Sequence, residues 1–148
     1  MILRPALITD ADALLDWRND AHTRTASRNH GLVGREGHIR WLDGVLHDPD
    51  SRLFIAEQDG IPVGTVRADR KADGMTEISW TVSPRFRNRG IARAMLHELF
   101  PILSGMVCAE IKANNIASIK VAAHAGMLLV SETGGMLRYQ RDLGPSAS

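Results

Sequence analysis

The sequence predicts an α/β domain, with a mixed central β-sheet of six to seven strands flanked by about four helices. Three observations lead there. The stretch Glu77–Met95 reads as a strand, a turn at Pro84, a basic loop and a helix that begins at Gly90. Arg52–Gln58 and Ile61–Ala68 alternate on either side of Asp59-Gly60, a strong hairpin signal. Apolar residues recur at helical spacing between such strands, so helices and strands interleave, as in a sheet covered on both faces.

In chain order, Ile2–Pro5 reads as a first strand. Thr9 or Asp10 can cap a helix whose apolar face is Ala13, Leu14 and Trp17 and which ends near Asn19-Asp20. Ala21–Gly34 lacks apolar periodicity and reads as a polar loop or broken helix, the kind of segment that often binds ligands. Glu36–His47 is a second helix, with Ile39, Leu42, Val45 and Leu46 on one face and His47-Asp48-Pro49-Asp50 as its stop. The hairpin follows, then a polar connection over Asp69–Gly74 and a strand over Met75–Val82. Ile91, Ala92, Met95, Leu96 and Leu99 form the buried stripe of a third helix, ended by Pro101 and Gly105. Met106–Ile111 is a strand, Ala117–Ala125 a short helix stopped at Gly126, and Leu128–Ser131 and Leu137–Arg141 close the sheet around Gly134-Gly135.

At 148 residues and 44% apolar content, one domain over residues 1–143 with a flexible tail at 144–148 is expected. The net charge of +1, with acids and bases interspersed, argues against duplex nucleic acid as a partner. Cys108 stands alone, so neither an internal disulfide nor a metal site built on cysteines can form. No apolar run is long enough to span a bilayer, and Met-Ile-Leu-Arg-Pro at the start lacks the core of a signal peptide. The expectation is a cytoplasmic monomer or homodimer that binds neither nucleic acid nor membrane. The six histidines, His22, His30, His38 and His124 among them, show no metal spacing, and each reads as a surface residue.

The loop Arg87-Asn88-Arg89-Gly90-Ile91-Ala92 carries the chemistry. A helix start offers unpaired N–H groups and the positive end of a dipole, which together make an anion site. A pyrophosphate can approach main chain only where side chains are small, hence Gly90 and Ala92. Arg85, Arg87, Arg89 and Arg93 add positive charge. No Gly-Lys-Ser/Thr is present, which excludes a Walker loop, and only one of the three glycines of a dinucleotide fingerprint is in place.

Glu77–Ala92 fits the pattern Arg/Gln-x-x-Gly-x-Gly/Ala behind a strand and resembles the acetyl-CoA-binding motif of the GNAT superfamily of N-acetyltransferases. Downstream, Asn115, Ser118 and Gly126-Met127 resemble that family's Asn-x-x-Ala/Ser helix ending in Gly-Phe, with Met in place of Phe. The resemblance covers nearly the whole chain and implies an acetyl-CoA-dependent N-acetyltransferase. It implies a splayed strand pair that binds the cofactor, with Val82 near a bulge and its main chain on the pantetheine arm and thioester carbonyl, where a fixed N–H stabilises the developing oxyanion. Arg87, Asn88, Arg89, Gly90, Ile91 and Ala92 would hold the pyrophosphate, and Asn115 and Ser118 would face the pantetheine or acetyl end. Asn115 also reads as a helix cap. Glu77 is the candidate base, acting through a water, and reads equally as a solvated strand carboxylate; His30 is the alternative base. The family's tyrosine acid, seven residues after the asparagine, is here Ala122. A thiol with a pKa of about 8.5 can leave as thiolate without a strong acid. Water or the Ser118 hydroxyl could substitute.

For the acceptor, Trp17-Arg18-Asn19-Asp20, Arg24, Ser27 and Glu36-Gly37-His38 resemble the amino-sugar N-acetyltransferases of the pseudaminic acid branch. The strand pattern Glu-Ile-x-x-x-Val-x-Pro is similar to that of ribosomal-protein N-terminal acetyltransferases. Trp17, Arg18, Asn19, Arg24 and His30 are thus the candidate substrate contacts, with core packing the other reading of Trp17. A small amine such as a nucleotide-linked amino sugar is the expected acceptor. A protein N-terminus, or no reaction at all in a non-catalytic acyl-CoA-binding domain, are the alternatives.

Overall fold

Seven strands form one sheet: β1 (Ile2–Pro5), β2 (Ser51–Gln58), β3 (Ile61–Arg70), β4 (Thr76–Val82), β5 (Met106–Lys112), β6 (Leu128–Thr133) and β7 (Met136–Asp142). The computed structural model describes residues 1–26 and 31–146. The strand order is β1-β2-β3-β4-β5-β7-β6, antiparallel throughout except for the β4–β5 pair. Five helices are present among the described residues: α1 (Ala11–Asn19), α2 (Ala21–Ala26), α3 (Arg35–His47), α4 (Ile91–Leu99) and α5 (Ile116–His124). The α/β class and the mixed sheet agree with the sequence reading. The additional helix is α2, inside the segment read as a polar loop or broken helix. It forms because the Asp20 carboxylate accepts the Thr23 N–H at 3.2 Å, a cap that needs no apolar periodicity.

Strand alternation divides the core in two. On one face Val66, Ala68 and Ile78 pack with Val107, Ala109 and Ile111 against α4 and α5. On the other, Leu53 and Ile55 pack with Ala11, Leu14 and Trp17 of α1 and Leu42 and Val45 of α3. The α4 stripe predicted from spacing is buried in full: Ile91, Ala92, Met95, Leu96 and Leu99 are each 9% exposed or less. Burying one such large side chain stabilises by about 1.5–3 kcal/mol, so this stripe fixes where the helix lies. Asp59 and Gly60 both take positive φ (53° and 77°), the twist a two-residue hairpin needs.

Two local expectations are corrected. Asp10 stands at the start of α1, but its carboxylate does not cap that helix. It turns back to two nitrogens of Arg4 at 2.8 Å and the Leu7 N–H at 2.8 Å, fastening β1 to the turn before α1. His38, read as a surface residue, is 3% exposed. Its Nε2 lies 3.1 Å from the Ala11 carbonyl, which can only accept, so Nε2 carries the proton and ties α3 to α1.

Burial pushes the pKa of His38 below its ordinary 6.5, against opposing effects from the Ala11 carbonyl and Asp12. The unfolded chain therefore takes up this proton at higher pH than the native chain does. Between the two pKa values the unfolded state binds more protons, and stability falls as pH drops through that window. Urea titrations at about pH 7.5 and about pH 5.5 are expected to show a larger drop in midpoint for the natural chain than for His38→Gln. Equal drops would mean that His38 is not the group responsible.

Candidate active site

The site begins where two neighbouring strands part. Ser83 donates its N–H to the Val63 carbonyl at 2.8 Å, so β3 takes the main-chain groups of Ser83, Thr81 and Ser79. By alternation, those of Ile78, Trp80 and Val82 point the other way, toward β5. Yet β5 pairs with β4 only at Thr76↔Val107 and Glu77↔Cys108. Beyond that rung the strands diverge, and the polar edge of Trp80 and Val82 faces the opening. No register shift interrupts the β3–β4 ladder, so the expected bulge at Val82 is not what separates the strands. Gly64, opposite Val82, instead lets β3 lie against β4 and α4. A Cβ there would meet the Thr81 carbonyl oxygen at 2.9 Å and Met95 Sδ at 3.0 Å.

The loop that follows β4 is shaped by its main chain. Asn88 and Gly90 take positive φ (62° and 74°), and Gly90 begins α4 with no side chain capping it. Ile91 and Ala92 are buried beneath this turn. The arginine side chains have other partners. Arg87, expected on a pyrophosphate, forms a close ion pair with Asp20 and donates to Thr23 Oγ1 at 3.2 Å. That contact with Arg87 is the main reason the Asp20 carboxyl sits below the usual carboxylate range. Arg89 lies over the Phe86 ring at 5.4 Å, and Arg93 meets His124 of α5 at 2.7 Å.

Across the opening, Asn115 caps α5: its Oδ1 accepts the Ser118 N–H at 3.2 Å. Gly126-Met127 closes the same helix, with Met127 N–H on the Ala122 carbonyl at 3.0 Å and Gly126 N–H on that of Ala123 at 3.1 Å. Ala122 is fully buried, and Ser118 lies one turn before it on the same helix face.

A cavity of about 420 Å³ lies on the sheet face covered by α1 and α3. Arg18, His38 and Trp41 line it from the helices, Thr65 and Arg67 from β3, and Ser79, Trp80 and Thr81 from β4. His38 and Trp41 stack there at 5.3 Å. Of the expected acceptor contacts, Arg18 lines this cavity. Trp17 does not: it is 8% exposed and packed in the core. Asn19 clamps the chain before α3, accepting the Val33 N–H at 2.8 Å and donating to its carbonyl at 2.9 Å. Arg24 is on α2 away from the cavity wall, and His30 lies outside the described residues. Glu77 sits on the last paired rung, with a carboxylate oxygen 3.9 Å from Lys71 Nζ. Sequence reading missed Trp41, Arg67, Ser79 and Thr81. The available signal was the polar alternation Thr65/Arg67 and Ser79/Thr81 on strands otherwise apolar on one face.

Among the described residues no helix is long and apolar enough to cross a membrane. No cluster of His, Cys, Asp and Glu among them could hold a metal.

No curated protein matches the sequence. Solved structures do. The ribosomal-protein-alanine N-acetyltransferase of Brucella melitensis is 26% identical, with a TM-score of 0.81 over 96% of this chain and 99% of that one. Salmonella typhimurium yncA, solved with acetyl-CoA, is 22% identical, with a TM-score of 0.81 over 100% and 96%. A phosphinothricin acetyltransferase of Sinorhizobium meliloti in complex with acetyl-CoA is 20% identical, with a TM-score of 0.81 over 97% and 88%. The model of the acetyltransferase (GNAT) domain matches residues 1–128. The parted strands, the uncapped glycine turn and this match agree: the chain belongs to the GNAT family and is an acetyl-CoA-dependent acetyltransferase.

Proposed function

We propose that the protein moves an acetyl group from acetyl-CoA to the primary amine of a small molecule, such as a nucleotide-linked amino sugar, by direct attack in a ternary complex. The observation that carries this reading is the walled cavity of about 420 Å³ on β4. Its size suits a small ligand, and its β4 wall is the same Ser79–Thr81 stretch whose edge faces the parted strands. The reading places the work in the cytoplasm, where a lone buried thiol such as Cys108 stays reduced.

The chain fits the cosubstrate on two counts. The outward main-chain groups of Trp80 and Val82 need a partner that β5 does not supply, and the pantetheine arm is an extended chain with amides that can fill that role. The uncapped start of α4 suits a pyrophosphate, held by the N–H groups around Gly90, Ile91 and Ala92 and screened by Arg89. Acetyl-CoA supplies an activated acetyl thioester. The Val82 N–H is positioned to stabilise negative charge on the carbonyl oxygen. Asn115 holds the first turn of α5, on which Ser118 lies.

The acceptor arrives as an ammonium ion and must lose a proton. Glu77 is the base in this reading. It lies five residues before Val82, about 17 Å along an extended strand, so the proton travels through water. With Ala122 buried and carrying no hydroxyl, the departing thiolate takes its proton from water or from Ser118.

A second reading has support of its own. The Brucella relative named for ribosomal-protein alanine acetylation covers nearly all of this chain at 26% identity. A protein N-terminus would then be the acceptor. Thiol release measured with acetyl-CoA against amino sugars, their nucleotide conjugates and short peptides separates the two. Turnover of peptides alone would overturn the small-molecule reading, and tight acetyl-CoA binding without any turnover would leave a non-catalytic binding domain.

Two variants test the assignments. Gly90→Leu is expected to keep its circular dichroism spectrum, to lose about 1–2 kcal/mol of stability because of its φ, and to weaken acetyl-CoA binding at least about tenfold by calorimetry. Unchanged affinity would remove the turn from the pyrophosphate site. Glu77→Gln is expected to lower kcat/KM about a hundredfold near pH 7, with the deficit shrinking as alkaline pH deprotonates the amine itself. A deficit independent of pH would argue that Glu77 is structural.

A further inference from the structure

The acceptor cavity has a charge pattern that the transfer reaction does not require. Arg18 and Arg67 line it, and no carboxylate among the described residues does. Arg67 is held rather than loose. Its Nε bonds the two oxygens of Asp69 at 2.9 and 2.8 Å, and Asp69 is itself fixed by Ser51 Oγ at 2.7 Å. Its guanidinium lies 5.6 Å from the centre of the Trp41 ring. A guanidinium anchored through Nε and resting on an aromatic face keeps its orientation, with the Nη edge left to meet a ligand. Arg67 also stands directly across the β3–β4 ladder from Ser79, whose strand leads to Val82 three residues further on.

Asp69 offsets one positive charge from outside the cavity wall. Within the wall itself, the guanidinium groups of Arg18 and Arg67 face no lining carboxylate among the described residues. Such a wall repels a plain cationic amine and favours one that carries an acid. Apolar and aromatic surface from Val33, Leu53 and Trp41 takes the body of the ligand.

We propose that Arg67, aided by Arg18, determines acceptor specificity by binding a carboxylate or phosphate of the substrate, so that the acceptors of this enzyme are amines bearing an acidic group. This rests on reading the cavity as the acceptor site. A bidentate charge-assisted pair is the expected contact, and it discriminates by about tenfold to a hundredfold.

The test pairs each acidic amine with its neutral counterpart: an ω-amino acid against its amide, and an amino-sugar phosphate against the free amino sugar. Thiol release from acetyl-CoA gives kcat/KM for each. At least about a tenfold preference for one or both acidic members is expected, expressed mainly in KM. The pair showing it identifies carboxylate or phosphate as the group read. In Arg67→Gln that ratio should collapse toward one through loss on the acidic member, and Arg67→Lys should restore part of it. Equal kcat/KM within both pairs, or an Arg67→Gln loss spread evenly over acidic and neutral amines, overturns the proposal. The transfer reading can fail separately, as silence on every amine. Tryptophan fluorescence, reported by Trp41, then decides the anion claim without turnover. Saturable binding of the acids but not the amides, lost in Arg67→Gln, supports it, and no such difference sinks it.

Discussion

Everything in this molecule depends on β4 and β5 staying apart after Glu77↔Cys108. A parallel pair would ordinarily continue to the strand ends, because an unpaired main-chain group costs about as much as a lost hydrogen bond when kept from water. Here each strand is pinned to its other neighbour. β4 keeps its full register with β3 from Thr76 to Val82, and the Cβ-free Gly64 allows that close approach beside Met95. β5 keeps its full register with β7 from Met106 to Lys112. Beneath the gap, α4 buries five residues in the core. Zipping the pair shut would break one of these attachments for a few hydrogen bonds, so the opening persists as a property of the fold.

The rims of that opening are joined by α2. Arg87 from the β4–α4 loop pairs with Asp20 and Thr23, and Lys112 from the end of β5 donates to the Thr25 carbonyl at 2.9 Å. A six-residue helix has little stability of its own. Its place is therefore set by the two basic side chains it meets, one from each side of the gap. Arg87, expected on a pyrophosphate, braces this wall, while Asn88 and Gly90 shape the main chain of the loop through positive φ.

Much of this was legible in one dimension because the responsible interactions are local. The α4 stripe follows from 3.6-residue spacing, the hairpin from Asp59-Gly60, and the α5 boundaries from Asn115 and Gly126, each residue acting within a turn of its own position. What stayed hidden required partners far away in sequence. Arg87 meets Asp20 across 67 positions, and Asn19 meets Val33 across 14. His38 read as polar and exposed because its single decisive contact, the Ala11 carbonyl, lies 27 residues upstream. The cavity under α1 and α3 is the extreme case. Its wall is drawn from α1, α3, β2, β3 and β4, so the polar alternation on β3 and β4 marks only part of it.

That composite wall also bears on the proposed reading, in which one strand would serve two substrates. In a pleated strand the main-chain groups lie in the plane of the sheet, and side chains stand perpendicular to it. On β4 the in-plane groups of Trp80 and Val82 point into the gap, where the cosubstrate arm belongs. The side chains of Ser79 and Thr81 rise from the same strand into the cavity under α1 and α3. In the proposed reading, alternating features of this single strand would face the two ligands, and their meeting point would follow from strand geometry more than from any flexible side chain. Such a site would tolerate Ala122 in place of a hydroxyl, because approach and orientation would come from the backbone and a thiolate leaves readily without an acid beside it.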